Sequence, residues 1–207
     1  KALIEADGDY DKAQDIIRER GKLVAAKRAD RSATEGVVVS KIVGQKGYML
    51  CLACETDFVA KNSEFSATAN EILDIAIAAD AANLEALNAV AADGRTVADK
   101  VTEKSGQTGE KVELVYYAKI EAPMCVTYIH TNHKLGTLIG FNKEIGMEVA
   151  KDVAMQAAAM APISISREDC DPAVIEHERS IGREQARLDG KPEAMLDKIA
   201  EGKVNKF

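Results

Sequence analysis

The chain has 207 residues, enough for one or two small domains that each enclose a core. Hydrophobic residues make up 46% and charged ones 29%, as in ordinary globular proteins, while aromatics reach only 4% and Trp is absent. A formal charge of −7 with so few stacking rings argues against a binder of duplex or single-stranded nucleic acid. There is no secretory h-region and no apolar run of bilayer length, the longest Ala-rich helix being interrupted by Lys151 and Asp152. Cys51, Cys54, Cys125 and Cys170 lack a disulfide-framework spacing, so a cytoplasmic chain with reduced thiols is expected. Lys1 is not a start residue and the chain stops at Phe207 without a structural end signal, which reads as a piece of a longer protein.

Residues 1–21 read as the end of one helix, a turn at Asp7-Gly8 and a second helix from about Tyr10, with Asp9 as its cap. Ala13, Ile16 and Ile17 give that helix a buried face, and Gly21 is placed to end it. Lys22 to Ser32 is basic through Lys22, Lys27, Arg28 and Arg31, the pattern of a solvated helix end running into a linker. Gly36 to Val43 is a β-branched strand, and Gly44 to Gly47 turns it back into a hairpin.

The stretch from Tyr48 to Phe65 organises the rest. It opens as an apolar strand, and at Thr56, a good N-cap residue, the pattern changes to a helix start with Asp57 in the first turn. Asp57 and Lys61 are four apart, where opposite charges meet on a helix face. An acid and a large aromatic, Asp57 and Phe58, thus stand at a strand-to-helix junction, a rigid mount for two projecting side chains. The plainer alternative is that Phe58 packs beneath its own helix and Asp57 only favours the helix N-terminus.

Glu55-Thr56-Asp57-Phe58-Val59-Ala60-Lys61-Asn62 resembles the signature of elongation factor Ts, the family of nucleotide-exchange factors for elongation factor Tu. One departure is visible: the family usually has Asn where this chain has Ala53, which bears on a local turn hydrogen bond and not on the resemblance. The resemblance implies that residues 1–21 are the rear of a ubiquitin-associated-like helical domain, with Glu5-Ala6-Asp7-Gly8-Asp9 matching well. It further implies a linker over 22–35 and two similar subdomains of antiparallel sheet with helices, over 36–122 and 123–207. The second of these would be incomplete and lead toward a dimerisation element.

Beyond the motif, Phe65, Ala69, Ile72 and Ala76 recur at helical spacing, with Ile75 and Ala79 beside them. A further helix is expected from Asn83 to Ala92, ended by Asp93-Gly94, then one over Val97 to Lys104, then a glycine turn from Ser105 to Gly109. Gly106 to Lys111 has a superficial likeness to a phosphate loop but lacks the Gly-Lys-Ser/Thr end and a preceding strand, so no nucleotide site is assigned. Val112 to Ile120, Met124 to His130 and Leu135 to Phe141 are strand-like, the last two joined by the turn Thr131-Asn132-His133-Lys134. Val149, Val153, Gln156 and Met160 mark a helix that Pro162 ends. Asp171-Pro172 starts another, running to about Leu188; Gly190-Lys191-Pro192 breaks it, and Met195 and Ile199 belong to a final helix. Strands and helices interleave without strict alternation, so the class is α+β.

Few residues suggest chemistry. Cys51 and Cys54 form a C-x-x-C, but residues three apart in a strand point to opposite faces and no second ligand pair follows, so they read as small core residues. His130 and His133 flank the hairpin turn without further ligands nearby, and His133 reads as an exposed turn residue. His177 lies in the charged run Glu176 to Arg179 and reads as solvated. No nucleophile–base ordering and no paired carboxylates stand out, so no catalytic residue, metal site or cofactor site is assigned.

From the resemblance, Thr56, Asp57, Phe58 and Val59 would contact elongation factor Tu near its Mg²⁺ site, and His130 would contribute a second contact to that partner. The implied activity is release of GDP from the partner without covalent chemistry, with no cofactor, no direct nucleotide binding and no membrane or nucleic-acid partner. A homodimer through a segment beyond Phe207 is compatible with it. Two alternatives are an adaptor or dimerisation module without exchange activity and an RNA-binding translation protein, the latter disfavoured by charge.

Overall fold

A computed structural model describes residues 1–205; Lys206 and Phe207, the last two residues of the expected second subdomain, lie outside the described residues. Helix α1 (Ala2–Glu5) turns through Asp7 and Gly8, both at positive φ, into α2 (Tyr10–Lys27). The Asp9 carboxylate caps α2, accepting from the Lys12 amide at 3.1 Å. Ala2, Ala6 and Ala13 form the small core of this pair, with Ile16 and Ile17 against it. The expected end at Gly21 is not realised, and the helix runs on to Lys27. An interior glycine costs a helix only about 1 kcal/mol, and here it serves a close approach: a Cβ on Gly21 would lie 2.2 Å from the Thr102 carbonyl oxygen.

Strands β1 (Glu35–Val43) and β2 (Lys46–Cys54) make the foreseen antiparallel hairpin, Val43 opposite Lys46. One turn of helix, α3 (Asp57–Ala60), leads into α4 (Ser63–Ala78), capped by the Asn62 side chain. Phe65, Ala69, Ile72, Leu73 and Ala76 form the buried stripe of α4, as their spacing predicts.

The next helix, α5 (Leu84–Ala89), stops short of the expected Ala92. Ala91–Ala92 (β3) instead pairs with Arg95–Thr96 (β4) around Asp93-Gly94. Both turn residues have positive φ, 54° and 75°, which is what a tight two-residue hairpin demands of its Asp-Gly.

Helix α6 (Val97–Thr108) opens with a Thr96/Asp99 capping box and absorbs most of the expected glycine turn; only Gly109, at φ 72°, ends it in the left-handed region. The helix passes through Gly106 because Gly106 meets Gly21, where a Cβ would sit 2.7 Å from the Gly21 nitrogen. Strand β5 (Glu113–Glu121) then pairs with β2, giving a sheet of order β1-β2-β5 with β2 in the centre.

Alternation along β2 sends Tyr48, Leu50, Leu52 and Cys54 into the main core, where Phe65, Ile72 and Leu73 of α4 meet them. Strands β6 (Met124–Ile129) and β7 (Gly136–Phe141) form a separate two-stranded ribbon. It is tied to the first sheet by the Val38 amide donating to the His133 carbonyl at 2.7 Å and by Cys125 Sγ donating to the Gln45 carbonyl at 3.1 Å.

Helix α7 (Met147–Met160) covers the ribbon through Ala150 and Ala154, against Val126, Tyr128 and Ile139. The stripe that marks this helix in the sequence faces outward: Val149, Val153 and Met160 are 58%, 42% and 69% exposed. Alanines win the interface because only a small side chain lets the helix backbone come so near, with Thr137 Oγ1 donating to the Ala154 carbonyl at 2.7 Å.

The chain divides into two compact units, Lys1–Ala159 and Met160–Phe207. In the second, α8 (Pro172–Leu188) begins at Asp171-Pro172 as expected, and Gly190, at φ 72°, follows its end. Helix α9 (Leu196–Val204) packs on α8, with Leu196, Ala200 and Val204 buried on one helix, Gly182 and Ala186 on the other, and Ala200 close against Gly182. Arg179 to Glu201 at 3.0 Å, part-buried, joins the two helices, and Arg187 to Glu193 at 2.9 Å ties α8 to the turn before α9, near-surface contacts worth about 0–1 kcal/mol each. The fold is α+β, with small antiparallel sheets and a majority of helix.

Candidate functional site

The strand-to-helix junction after β2 has the local structure that its residues encode. Thr56 is extended, at φ −121°, and its hydroxyl oxygen accepts from the Val59 amide, starting α3. Lys61 Nζ donates to Asp57 Oδ2 at 2.6 Å, the expected i,i+4 pair, and this hydrogen bond holds the Asp57 carboxyl below the usual carboxylate range. Phe58 is 84% exposed. The plainer alternative, a ring packed beneath its own helix, is therefore overturned: α3 turns Val59 and Ala60 toward the main core and Phe58 away from it.

What braces the junction comes from far along the chain. Glu110, just past the end of α6, accepts from the Glu55 amide at 3.1 Å, the Thr56 amide at 3.0 Å and the Thr56 hydroxyl at 2.6 Å. In return, the Glu55 carboxylate accepts from the Lys111 amide at 2.7 Å and from Arg28 Nη1 at 2.8 and 2.7 Å. The Lys111 hydrogen bond first, and then Arg28, pull the Glu55 carboxyl below its ordinary value. Arg28 is thus not the solvated linker residue that the basic run suggests, and Lys111 Nζ is spent on the carbonyls of Ala29 and Arg31.

Beside the junction runs a groove of about 600 Å³ between Asp57 and Lys61 on one side and Asn132, His133 and Lys134 of the ribbon turn on the other. His133 is exposed with φ 56°, as a turn residue. His130 is exposed at the base of that turn, its Nδ1 2.9 Å from the Tyr128 hydroxyl. The structure therefore brings Thr56, Asp57, Phe58 and Val59 together on one helical turn, Val59 half-buried, and places His130 on the ribbon.

Cys54 is buried and donates its Sγ–H to the Thr56 carbonyl at 3.3 Å, with burial pushing the thiol up to about 12. Cys51 belongs to the opposite face of β2, outside the main core. Among the described residues no group of three or more His, Cys, Asp or Glu side chains is placed to hold a metal ion, and no helix is long and apolar enough to cross a membrane. His177 is exposed on α8.

Fold and site together define an α+β protein whose Phe58 ring projects from a braced strand-to-helix junction, beside a groove. A family model described as "Elongation factor TS" matches residues 55–207. The elongation factor Ts of Cytophaga hutchinsonii is 44% identical over 213 residues, covering 100% of this chain and 77% of the relative. Those of Porphyromonas gingivalis and Christiangramia forsetii are 46% and 43% identical, each covering 100% of this chain and 76% of the relative. The chain belongs to the elongation factor Ts family, and its role is that of an elongation factor in protein biosynthesis.

Proposed function

We propose that the chain binds elongation factor Tu and accelerates its release of GDP, acting in the cytoplasm as an exchange factor and making no covalent bond. The observation that carries this reading is Phe58, 84% exposed on a one-turn helix inside the family's signature. A large apolar ring held in water costs free energy, roughly 1.5–3 kcal/mol against burying it, and a wedge site recovers that energy in the partner.

An exchange factor works by differential affinity. It must bind the nucleotide-free partner more tightly than the nucleotide-bound one, and linkage makes GDP weaken its grip to the same degree. Weakening GDP binding by about 10⁴ needs roughly 5.5 kcal/mol of that difference. In this reading Phe58 inserts between helices of the partner's G domain near its Mg²⁺, Asp57 fixes the insertion, and Thr56 and Val59 set the helical turn that presents them. Mg²⁺ demands a nearly ideal octahedron, so a small displacement of its ligands releases it, and the phosphates lose their main neutralising charge. His130 on the ribbon supplies the second contact. The expected division of 36–122 and 123–207 into two subdomains belongs to the same proposal, one offering the wedge and the other the second grip.

Stopped-flow release of fluorescent GDP from elongation factor Tu tests the wedge. Phe58→Ala and Asp57→Ala should slow the maximal rate at saturation, and release as fast as with the unchanged chain would refute it. His130→Ala should weaken partner affinity without changing that maximal rate; untouched affinity would remove the second contact.

A further inference from the structure

We infer that Glu110 is the positioning residue for Phe58: its carboxylate, delivered by the end of α6, fixes the angle at which α3 leaves the sheet and so aims the ring. The inference rests on the proposed wedge and adds a residue that lies 54 positions from Thr56 in the sequence.

Helix α3 has four residues, far too few to hold itself, since nucleation of a helix is unfavourable and isolated helices of this length do not persist. Val59 and Ala60 seat α3 on the main core, but the Phe58 ring itself is 84% exposed and takes no orientation from contacts of its own. The directional hold on the helix comes at its start. There Glu110 takes three donors at once: the amides of Glu55 and Thr56 and the Thr56 hydroxyl. Hydrogen bonds to an ionised carboxylate are about twice as strong as neutral ones. Because Thr56 gives its hydroxyl proton to Glu110, its oxygen lone pair is left to accept from the Val59 amide. One carboxylate thereby sets the backbone before the helix and the cap of the helix itself.

The reciprocal bond from the Lys111 amide to Glu55 closes the pair of segments from the other side. A ring that must push partner helices apart needs a mount that does not yield, and this double grip supplies it.

The test combines kinetics with a local probe. At saturation Glu110→Gln should slow GDP release from elongation factor Tu by about tenfold while the half-saturating concentration changes less than about twofold. An amide keeps the size of the carboxylate but loses its charge and one acceptor: with its oxygen on the two backbone donors that share Oε2, its NH₂ replaces Oε1 and opposes the Thr56 hydroxyl donor. If Glu110 acts through Phe58, Glu110→Gln adds nothing in a Phe58→Ala background; independent slowing there, or a normal rate for Glu110→Gln alone, overturns the inference.

The chain has no Trp, so Phe58→Trp is a unique reporter. Its steady-state anisotropy without partner should fall when Glu110→Gln is added, and an unchanged value also overturns the inference. This second readout separates the two claims: a normal release rate with Phe58→Ala refutes the wedge, whereas the anisotropy still decides whether Glu110 positions residue 58. Should Glu110→Gln fail to fold, Thr56→Val against Thr56→Ser makes the same comparison, Ser retaining activity and anisotropy and Val losing both; equal behaviour of the two overturns the inference.

Discussion

Phe58 and Phe65 are the same residue seven positions apart, and they meet opposite fates. Phe65, in the first turn of α4, is 1% exposed among Leu50, Leu52 and Ile72; Phe58, on α3, is 84% exposed. The difference lies in what surrounds each helix. The long α4 lays a continuous apolar stripe on the sheet, so burial of its side chains holds it in place. The single turn of α3 has no such stripe, only Val59 and Ala60 touching the core, and hydrogen bonds accepted by Thr56 and Glu110 fix its start. An aromatic can then be kept in water without unfolding the element that bears it, which is the condition for offering it to a partner.

That contrast can be broken at several points. The largest effect expected is on Phe65→Ala, which should cost about 3–5 kcal/mol in a urea titration, because a large cavity opens in the main core. A loss below about 1 kcal/mol would mean that the core does not depend on that ring. Phe58→Ala should leave stability within about 0.5 kcal/mol of the parent. It should slow GDP release by about tenfold, equivalent to about 1.4 kcal/mol in the barrier. If it unfolds the chain as Phe65→Ala does, the two rings are not different in kind. Thr56→Ala removes the cap of α3 and one bond to Glu110, and should cost about 1 kcal/mol, read by faster hydrogen exchange at the amides of Val59 and Ala60 with α4 unaffected.

The smallest effect concerns the far end of α4. Asp80 there accepts from Lys46, Lys119 and Tyr48, and these hydrogen bonds lower its carboxyl from the ordinary 3.8 to about 2. A depressed folded pKa stabilises the protein above the unfolded value and loses that stabilisation as pH falls through the folded one. Asp80→Asn should therefore flatten the acid side of the stability profile between about pH 4 and pH 2 and leave GDP release at neutral pH unchanged. An unchanged acid slope would show that the far end of α4 is held by packing alone.

Much of the junction is legible from local chemistry. Thr56 is a capping type in the right place, Asp57 and Lys61 have helical spacing, and the strand before them is an uninterrupted apolar run. The stripe of α4 is equally plain because its period is unambiguous. Glu110 and Arg28 are not legible. Their partners are 54 and 27 positions away, and a glutamate beside a glycine turn or an arginine in a basic run reads as solvated until the chain is folded. The ends of α2 and α6 escape the sequence for a related reason. Gly21 and Gly106 look like stops one at a time, and only their contact makes them interior residues of two helices that need to approach.

Helix α7 shows the same limit in another form. Its apolar stripe announces a helix correctly, yet the face buried is the alanine one, since the choice between two apolar faces depends on how close the ribbon lies.

Sequence alone determined most of the elements, the caps at Asp9, Thr56 and Asp171, the α+β class, and the signature that marks the family, because these depend on neighbours within a few residues. Only the tertiary structure decided that Phe58 points to solvent, that Glu110 holds its mount, and which face of α7 is hidden. Those outcomes depend on segments distant in the chain competing for the same space and the same donors, and no local pattern records who wins.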